Sequence, residues 1–170
     1  MTEGASMHAE MADFPKDEHF YDLLKEQLIA LSEESTPLSA LCNAAALLYN
    51  AMQDINWAGF YIRVDDTLHL GPFQGKPACT QISLGRGVCG TAACTQALQL
   101  VPDVALFPGH IACDSASRSE IVVPIVLNQS VWGVLDIDSP ILSRFSEEDA
   151  RGLQQFVDTL VQVVDLTRLL

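Results

Sequence analysis

Three of the five cysteines, Cys79, Cys89 and Cys113, sit in segments of small and loop-forming residues, KPACTQ, GVCGTA and HIACDSAS. Such segments bring backbone amides close to a sulfur. Lys76, Arg86 and His110 each stand three residues before one of these cysteines, so each thiol has a candidate cation to stabilise its thiolate. Two accessible thiols of this kind support a redox cycle. One attacks a substrate and is oxidised, the second converts it to a disulfide, and an external dithiol restores the pair. Spacing alone fits three inert thiols equally well. Cys42, between Leu41 and Ala45 on an apolar helical stripe, is expected to pack as a small hydrophobe, and Cys94, with no charged neighbour, to be structural.

A second constellation is acidic. Glu120, Asp136 and Asp138 fall at the ends of two strongly apolar segments, EIVVPIVL and SVWGVLDID. In a strand, residues two apart share a face, so Asp136 and Asp138 point one way and Ile137 the other. Carboxyl groups crowded in a pocket could hold protons and act as acids; polar strand ends at the surface are the plainer reading. Trp57 and Tyr61, four apart in a predicted strand, share a face and could wall a small pocket or simply pack in a core. Gly85, Gly87 and Gly90 in GRGVCG lack the spacing and the following Lys of a phosphate loop. No cluster of histidines suggests a metal site.

The elements that must position these residues can be read from periodicity. Phe20, Leu23, Leu24, Leu28 and Leu31 mark an amphipathic helix, and Thr36-Pro37 opens a second one through LSALCNAAALLYNAMQ. INWAGFYIRV and TLHLG form a hairpin turning at Asp65-Asp66; a short strand at CTQISL, a helix over GVCGTAACTQA and a strand at LQLV follow. The stretch from Pro102 to Ser119 reads as a long loop of the kind that carries function. EIVVPIVL and SVWGVLDID then pair through a tight turn at Asn128-Gln129. Ser146 with Asp149 makes a capping box for a last helix striped by Leu153, Phe156, Val157, Leu160 and Val164. The order predicts an α+β domain whose antiparallel sheet carries the terminal helices on one face, with the long middle segment roofing a pocket on the other.

The 170 residues fit one domain, and a hydrophobic fraction of 49% supports a sizeable core. A formal charge of −13 argues against nucleic acid and anionic membrane as partners. The acidic N-terminus is no secretory signal, and no apolar run is long enough to span a membrane, so a cytoplasmic protein is expected.

Taken together, INWAGFY at 55–61, LGPFQGKPAC at 70–79, GRGVCGTAA at 85–93, FPGHIACDSASRSEIVVP at 107–124 and GVLDIDSP at 133–140 resemble the free methionine-R-sulfoxide reductase family, built on a GAF domain. The resemblance implies a tail at residues 1–14 and a single GAF-like catalytic domain at 15–170. It implies a closed pocket for one amino acid, with no metal and no organic cofactor. In the matching motifs Cys113 would attack the sulfoxide, Cys79 would resolve the product as a disulfide, and Cys89 would be a further participant. Which of Cys79 and Cys89 resolves stays open. Glu120 and Asp138 would polarise the sulfoxide oxygen, Asp136 would help hold the substrate ammonium, and Trp57 and Tyr61 would cradle the thioether methyl. Thioredoxin is the implied reductant, and a homodimer through the terminal helices is compatible with the pattern. Cys94 is a thiol outside the motifs, which could offer an off-pathway disulfide. The alternative is a noncatalytic GAF-type module that binds a small ligand or senses oxidant, because the fold alone does not fix function.

Overall fold

The computed structural model describes residues 19–110 and 114–169; the tail at 1–14 and Cys113 lie outside the described residues. The chain begins with two helices, α1 (Phe20–Ser32) and α2 (Pro37–Ala51). Thr36 starts α2 as the sequence suggests, its Oγ1 accepting the Ser39 N–H at 3.2 Å while Pro37 occupies the first turn. Strands β1 (Trp57–Val64) and β2 (Thr67–Gly75) form the first hairpin, turning at Asp65-Asp66, and β3 (Gln81–Ser83) pairs with β2. Helix α3 (Gly87–Thr95) and strand β4 (Gln99–Val101) lead into the long middle segment. The second hairpin joins β5 (Ser119–Leu127) to β6 (Ser130–Ser139) through Asn128 and Gln129, with φ of 49° and 66°. Positive φ at both turn positions matches the twist of the strands. Helix α4 (Glu147–Val163) starts with the predicted capping box between Ser146 and Asp149.

All six strands lie in one antiparallel sheet in the order β3-β2-β1-β6-β5-β4. The two hairpins therefore meet at β1 and β6, where the pairing runs unbroken from Trp57 opposite Asp138, through Gly59 opposite Asp136, to Tyr61 opposite Val134. Alternation then sorts the side chains. Ala58 and Phe60 of β1, Ile121, Val123 and Ile125 of β5, and Leu135 and Ile137 of β6 face helices α1, α2 and α4 in one core. Trp57, Tyr61, Val122 and Val134 face the other way and pack with Val88, Cys89, Ala92 and Ala93 of α3.

The two faces have different jobs. On the helical face Leu24, Leu28, Leu41, Leu48, Phe156 and Leu160 are fully buried, each worth roughly 1.5–3 kcal/mol. That surplus lets the opposite face carry polar groups at a cost. The buried stripe of α2 is Leu41, Ala44, Ala45 and Leu48, and this corrects the expectation for Cys42, which is exposed. One residue of helix is a turn of about 100°, enough to swing Cys42 off the stripe that Leu41 begins. Cys94 is also exposed, at the C-terminal end of α3, and so is not a packed structural thiol. Among the described residues no helix is long and apolar enough to cross a membrane.

Candidate functional site

The polar face of the sheet supports a small, largely enclosed pocket. Its floor is the sheet: Glu120 from β5, Asp136 and Asp138 from β6, and Tyr61 from β1. Residues Gly87, Val88 and Cys89 at the start of α3 form one side, with the side chain of Arg86 at the rim. His110, Asp114 and Ser117 of the middle segment form another. The loop therefore does roof the face away from the terminal helices. A smaller lobe shares Tyr61, Asp114, Asp136 and Asp138 and adds Trp57, Pro77 and Ala78.

Period-two placement brings the acids together as expected. Glu120 lies directly opposite Asp138 across the β5–β6 ladder, and Asp136 is two residues back on the same face. Trp57 and Tyr61 stack with ring centroids 5.8 Å apart, and Trp57 stacks again on Phe73 at 5.3 Å. Gly59 makes room for this arrangement, since a Cβ there would stand 2.7 Å from the Trp57 indole and 2.3 Å from Phe73 Cβ. The polar tips of both rings reach the Cys79 loop. Trp57 Nε1 donates to Lys76 O at 3.2 Å and Tyr61 Oη to Cys79 O at 3.1 Å. Cys79 is disulfide-bonded, whereas Cys42, Cys89 and Cys94 are free.

The three acids are nearly or wholly enclosed, and that governs their protonation. Burial pushes the Glu120 carboxyl well above the usual range, and the charges of Asp136 and Asp138 push it further. Burial, then Asp136, does the same to Asp138, against a hydrogen bond with Ser117. Asp136 is pushed up by burial only to about 6, because hydrogen bonds with Cys89 and Glu120 favour its charged form. Three carboxyls this close disfavour one another's charge, and Asp136, whose upward shift two hydrogen bonds oppose, is the one that gives up its proton most readily. Asp136 Oδ1 is buried with no hydrogen-bond partner among the described residues, an acceptor left for a ligand to fill.

Two of the cations that the sequence sets three residues before a cysteine meet acids. Lys76 Nζ stands 3.6 Å from Asp114 Oδ1, and His110 Nε2 stands 3.9 Å from Glu120 Oε2. Burial lowers the His110 imidazole below its ordinary range and raises the Glu120 carboxyl, so both shifts weaken this contact as an ion pair. Cys89 has Asp136, Glu120 and Asp138 as its charged neighbours, and burial with these acids pushes its thiol up, the opposite of thiolate activation by Arg86.

Sequence reasoning passed over Asn56, Asp114 and Ser117. Asn56 Nδ2 donates to Asp114 Oδ2 and to Ser117 Oγ, both at 3.1 Å. Asp114 Oδ1 accepts from Ala116 N at 2.9 Å, and this bond, with Asn56 and Lys76, holds its carboxyl below the usual range. An Asp accepting from the amide two residues on is a turn signal legible in DSAS; the partnership with Asn56 spans 58 residues and has no local signature.

Cys89 Sγ, a Glu120 oxygen and an Asp136 oxygen lie within 4.8 Å of one another, the one set of His, Cys, Asp and Glu groups among the described residues close enough to share a metal ion. The same spacing suits a proton-sharing network. Chemically, the pocket offers a cluster of buried carboxyls that could meet a cation or donate to a basic oxygen, and an aromatic wall for an apolar group.

The GAF domain family model matches residues 40–165. The chain is 51% identical over 152 residues to the free methionine-R-sulfoxide reductase of Escherichia coli K12, covering 89% of this chain and 92% of that one. Its identity to the free methionine-R-sulfoxide reductase of Saccharomyces cerevisiae is 41% over 170 residues, covering 93% and 92%. Among solved structures, the Neisseria meningitidis free methionine-R-sulfoxide reductase in complex with its substrate superposes with a TM-score of 0.86 at 39% identity, over 91% of this chain and 95% of that one.

Proposed function

The chain belongs to the free methionine-R-sulfoxide reductase family of GAF-domain proteins, and we propose that it reduces free L-methionine-(R)-sulfoxide to L-methionine at the acidic pocket. The observation that carries the reading is the enclosed acid cluster, with Glu120 directly opposite Asp138 and Asp136 on the same face of the pocket floor. A sulfoxide sulfur yields to a thiolate only when its oxygen is protonated or strongly hydrogen-bonded. Glu120 and Asp138, whose carboxyls burial biases toward the protonated form, are suited to that task. Asp136, the acid that ionises first and whose Oδ1 lacks a partner, is suited to the substrate ammonium. The stacked Trp57 and Tyr61 offer a wall for the thioether methyl. A peptide-bound residue has neither free end, which favours the free amino acid.

In this mechanism the Cys113 thiolate attacks the sulfoxide sulfur as Glu120 and Asp138 hydrogen-bond the oxygen. Methionine leaves and the oxygen remains on Cys113 as a sulfenic acid. The Cys79 thiol then attacks that sulfur, forming a disulfide and releasing water. Two electrons pass from the two thiols to the substrate. That Cys79 is disulfide-bonded while Cys89 is free supports Cys79 as the resolving thiol. Thioredoxin is the proposed reductant, in the cytoplasm. Ile29 of α1 and Val163 of α4, both exposed, would supply apolar contacts for a homodimer through the terminal helices. A noncatalytic sensor would bind the sulfoxide and release it unchanged.

The cysteines supply the test. With purified R epimer and no external reductant, wild type and Cys79→Ser each release about one methionine per chain, whereas Cys113→Ser releases none. Adding thioredoxin and its reductase sustains turnover in wild type alone. Methionine release by Cys113→Ser equal to wild type would overturn the assignment.

A further inference from the structure

We propose that Cys89 is a positioning residue whose S–H group donates to the Glu120 and Asp136 carboxyls, and that its sulfur makes no disulfide during the cycle. The inference deepens the reductase reading and rests on it.

The geometry points this way. Cys89 Sγ is 3.9 Å from Glu120 Oε1 in hydrogen-bonding orientation and is also bonded to the Asp136 side chain. Its residue is 3% exposed at the start of α3, so an external dithiol has no approach to its sulfur. Glu120 on β5, Asp136 and Asp138 on β6 and Tyr61 on β1 face it, and Arg86 and His110 line the same pocket. The charges that act on the thiol are those of the acids, so it keeps its proton and stays a weak nucleophile. What the thiol can supply is a donor. An S–H donor favours the charged form of whichever carboxyl it meets, so at rest it supports the charge on Asp136, the acid that burial raises only to about 6. When Glu120 gives its proton toward the sulfoxide oxygen, the same S–H steadies the resulting carboxylate. No covalent bond of Cys89 forms or breaks.

The test compares wild type, Cys89→Ala and Cys89→Ser. The hydroxyl of serine preserves the donor, while alanine removes it. After one equivalent of R epimer without reductant, mass mapping should find the Cys79 disulfide in all three proteins. In steady state, Cys89→Ala should lose about tenfold or more in kcat with KM changed less than about threefold, and Cys89→Ser should recover most of the loss. The acidic limb of kcat/KM should move to higher pH in Cys89→Ala, because Asp136 has lost a bond that favours its charge, and return toward wild type in Cys89→Ser. The bond is also read without turnover: in substrate-free protein at pH 8, iodoacetamide should alkylate exposed Cys42 and Cys94 and spare Cys89. Finding Cys89 in a disulfide during turnover, equal inactivity of the serine and alanine variants, or rapid alkylation of Cys89 overturns the proposal. Failure of wild type to turn over methionine sulfoxide would sink the reductase reading separately, while the alkylation result still decides whether the thiol is held.

Discussion

Replacing Asp136 by Asn should make the ligand-free protein more stable at neutral pH while abolishing its use of substrate. The carboxyl titrates at about 6 in the folded chain against 3.8 when unburied. Below pH 3.8 the proton is bound in both folded and unfolded states. Between 3.8 and about 6 the folded chain retains a proton that the unfolded chain has released, so stability falls as pH rises. Above about 6 the loss is complete, and at about 1.4 kcal/mol per pH unit it amounts to about 3 kcal/mol. Burial is the largest cause, and asparagine of the same shape carries no charge to desolvate. The variant also removes a charge that raises Glu120 and Asp138. Urea unfolding of both proteins at pH 4, 6 and 8 reads the effect, because titrating groups outside the cluster cancel in the difference and the relief of Glu120 and Asp138 has the same sign. The variant should gain about 2–3 kcal/mol at pH 8 and little at pH 4, with methionine release lost at both. A variant less stable than wild type at pH 8, or a difference independent of pH, would refute the electrostatic account of the pocket.

Tyr61→Phe removes the donor to Cys79 O and should slow disulfide formation several-fold more than methionine release, as read by rapid quench; equal slowing of both steps would count against a role in holding the Cys79 loop. Gly90→Ala places a Cβ 2.4 Å from Ser83 O, and the resulting overpacking should cost about 1–3 kcal/mol by urea unfolding and raise KM by shifting α3. Ser146→Ala breaks the capping box of α4 and should lower stability by about 1 kcal/mol with kcat/KM unchanged, which thermal unfolding and steady-state assays check together.

How much of this was legible in the sequence depends on whether the cause is local. Period two alone put Asp136 and Asp138 on one face and Trp57 with Tyr61 on another strand's matching face. Thr36-Pro37 and Ser146 with Asp149 located two helix starts, because capping chemistry lies within four residues of itself. Pairing across the sheet was not local. Glu120 meets Asp138 only because β5 and β6 pair in one register, and the motif resemblance, not periodicity, anticipated the cluster. The acid partners of two cations were equally out of reach: Lys76 meets Asp114 and His110 meets Glu120 only in space. Cys42 shows the limit of reading stripes by eye, since one position of helical phase separates a buried Leu41 from an exposed thiol. Asn56, whose contacts reach Asp114 and Ser117 from the start of β1, could be found only in three dimensions.

The central claim is that this pocket reduces one epimer of a free amino acid. Incubating the protein with racemic free methionine sulfoxide and dithiothreitol, and following each epimer by chiral chromatography, tests it most directly. The account predicts that the R epimer disappears with equal gain of methionine, that the S epimer stays at its starting level, and that a peptide carrying methionine-R-sulfoxide is untouched. Persistence of both epimers, or reduction of the peptide at the rate of the free amino acid, would contradict it.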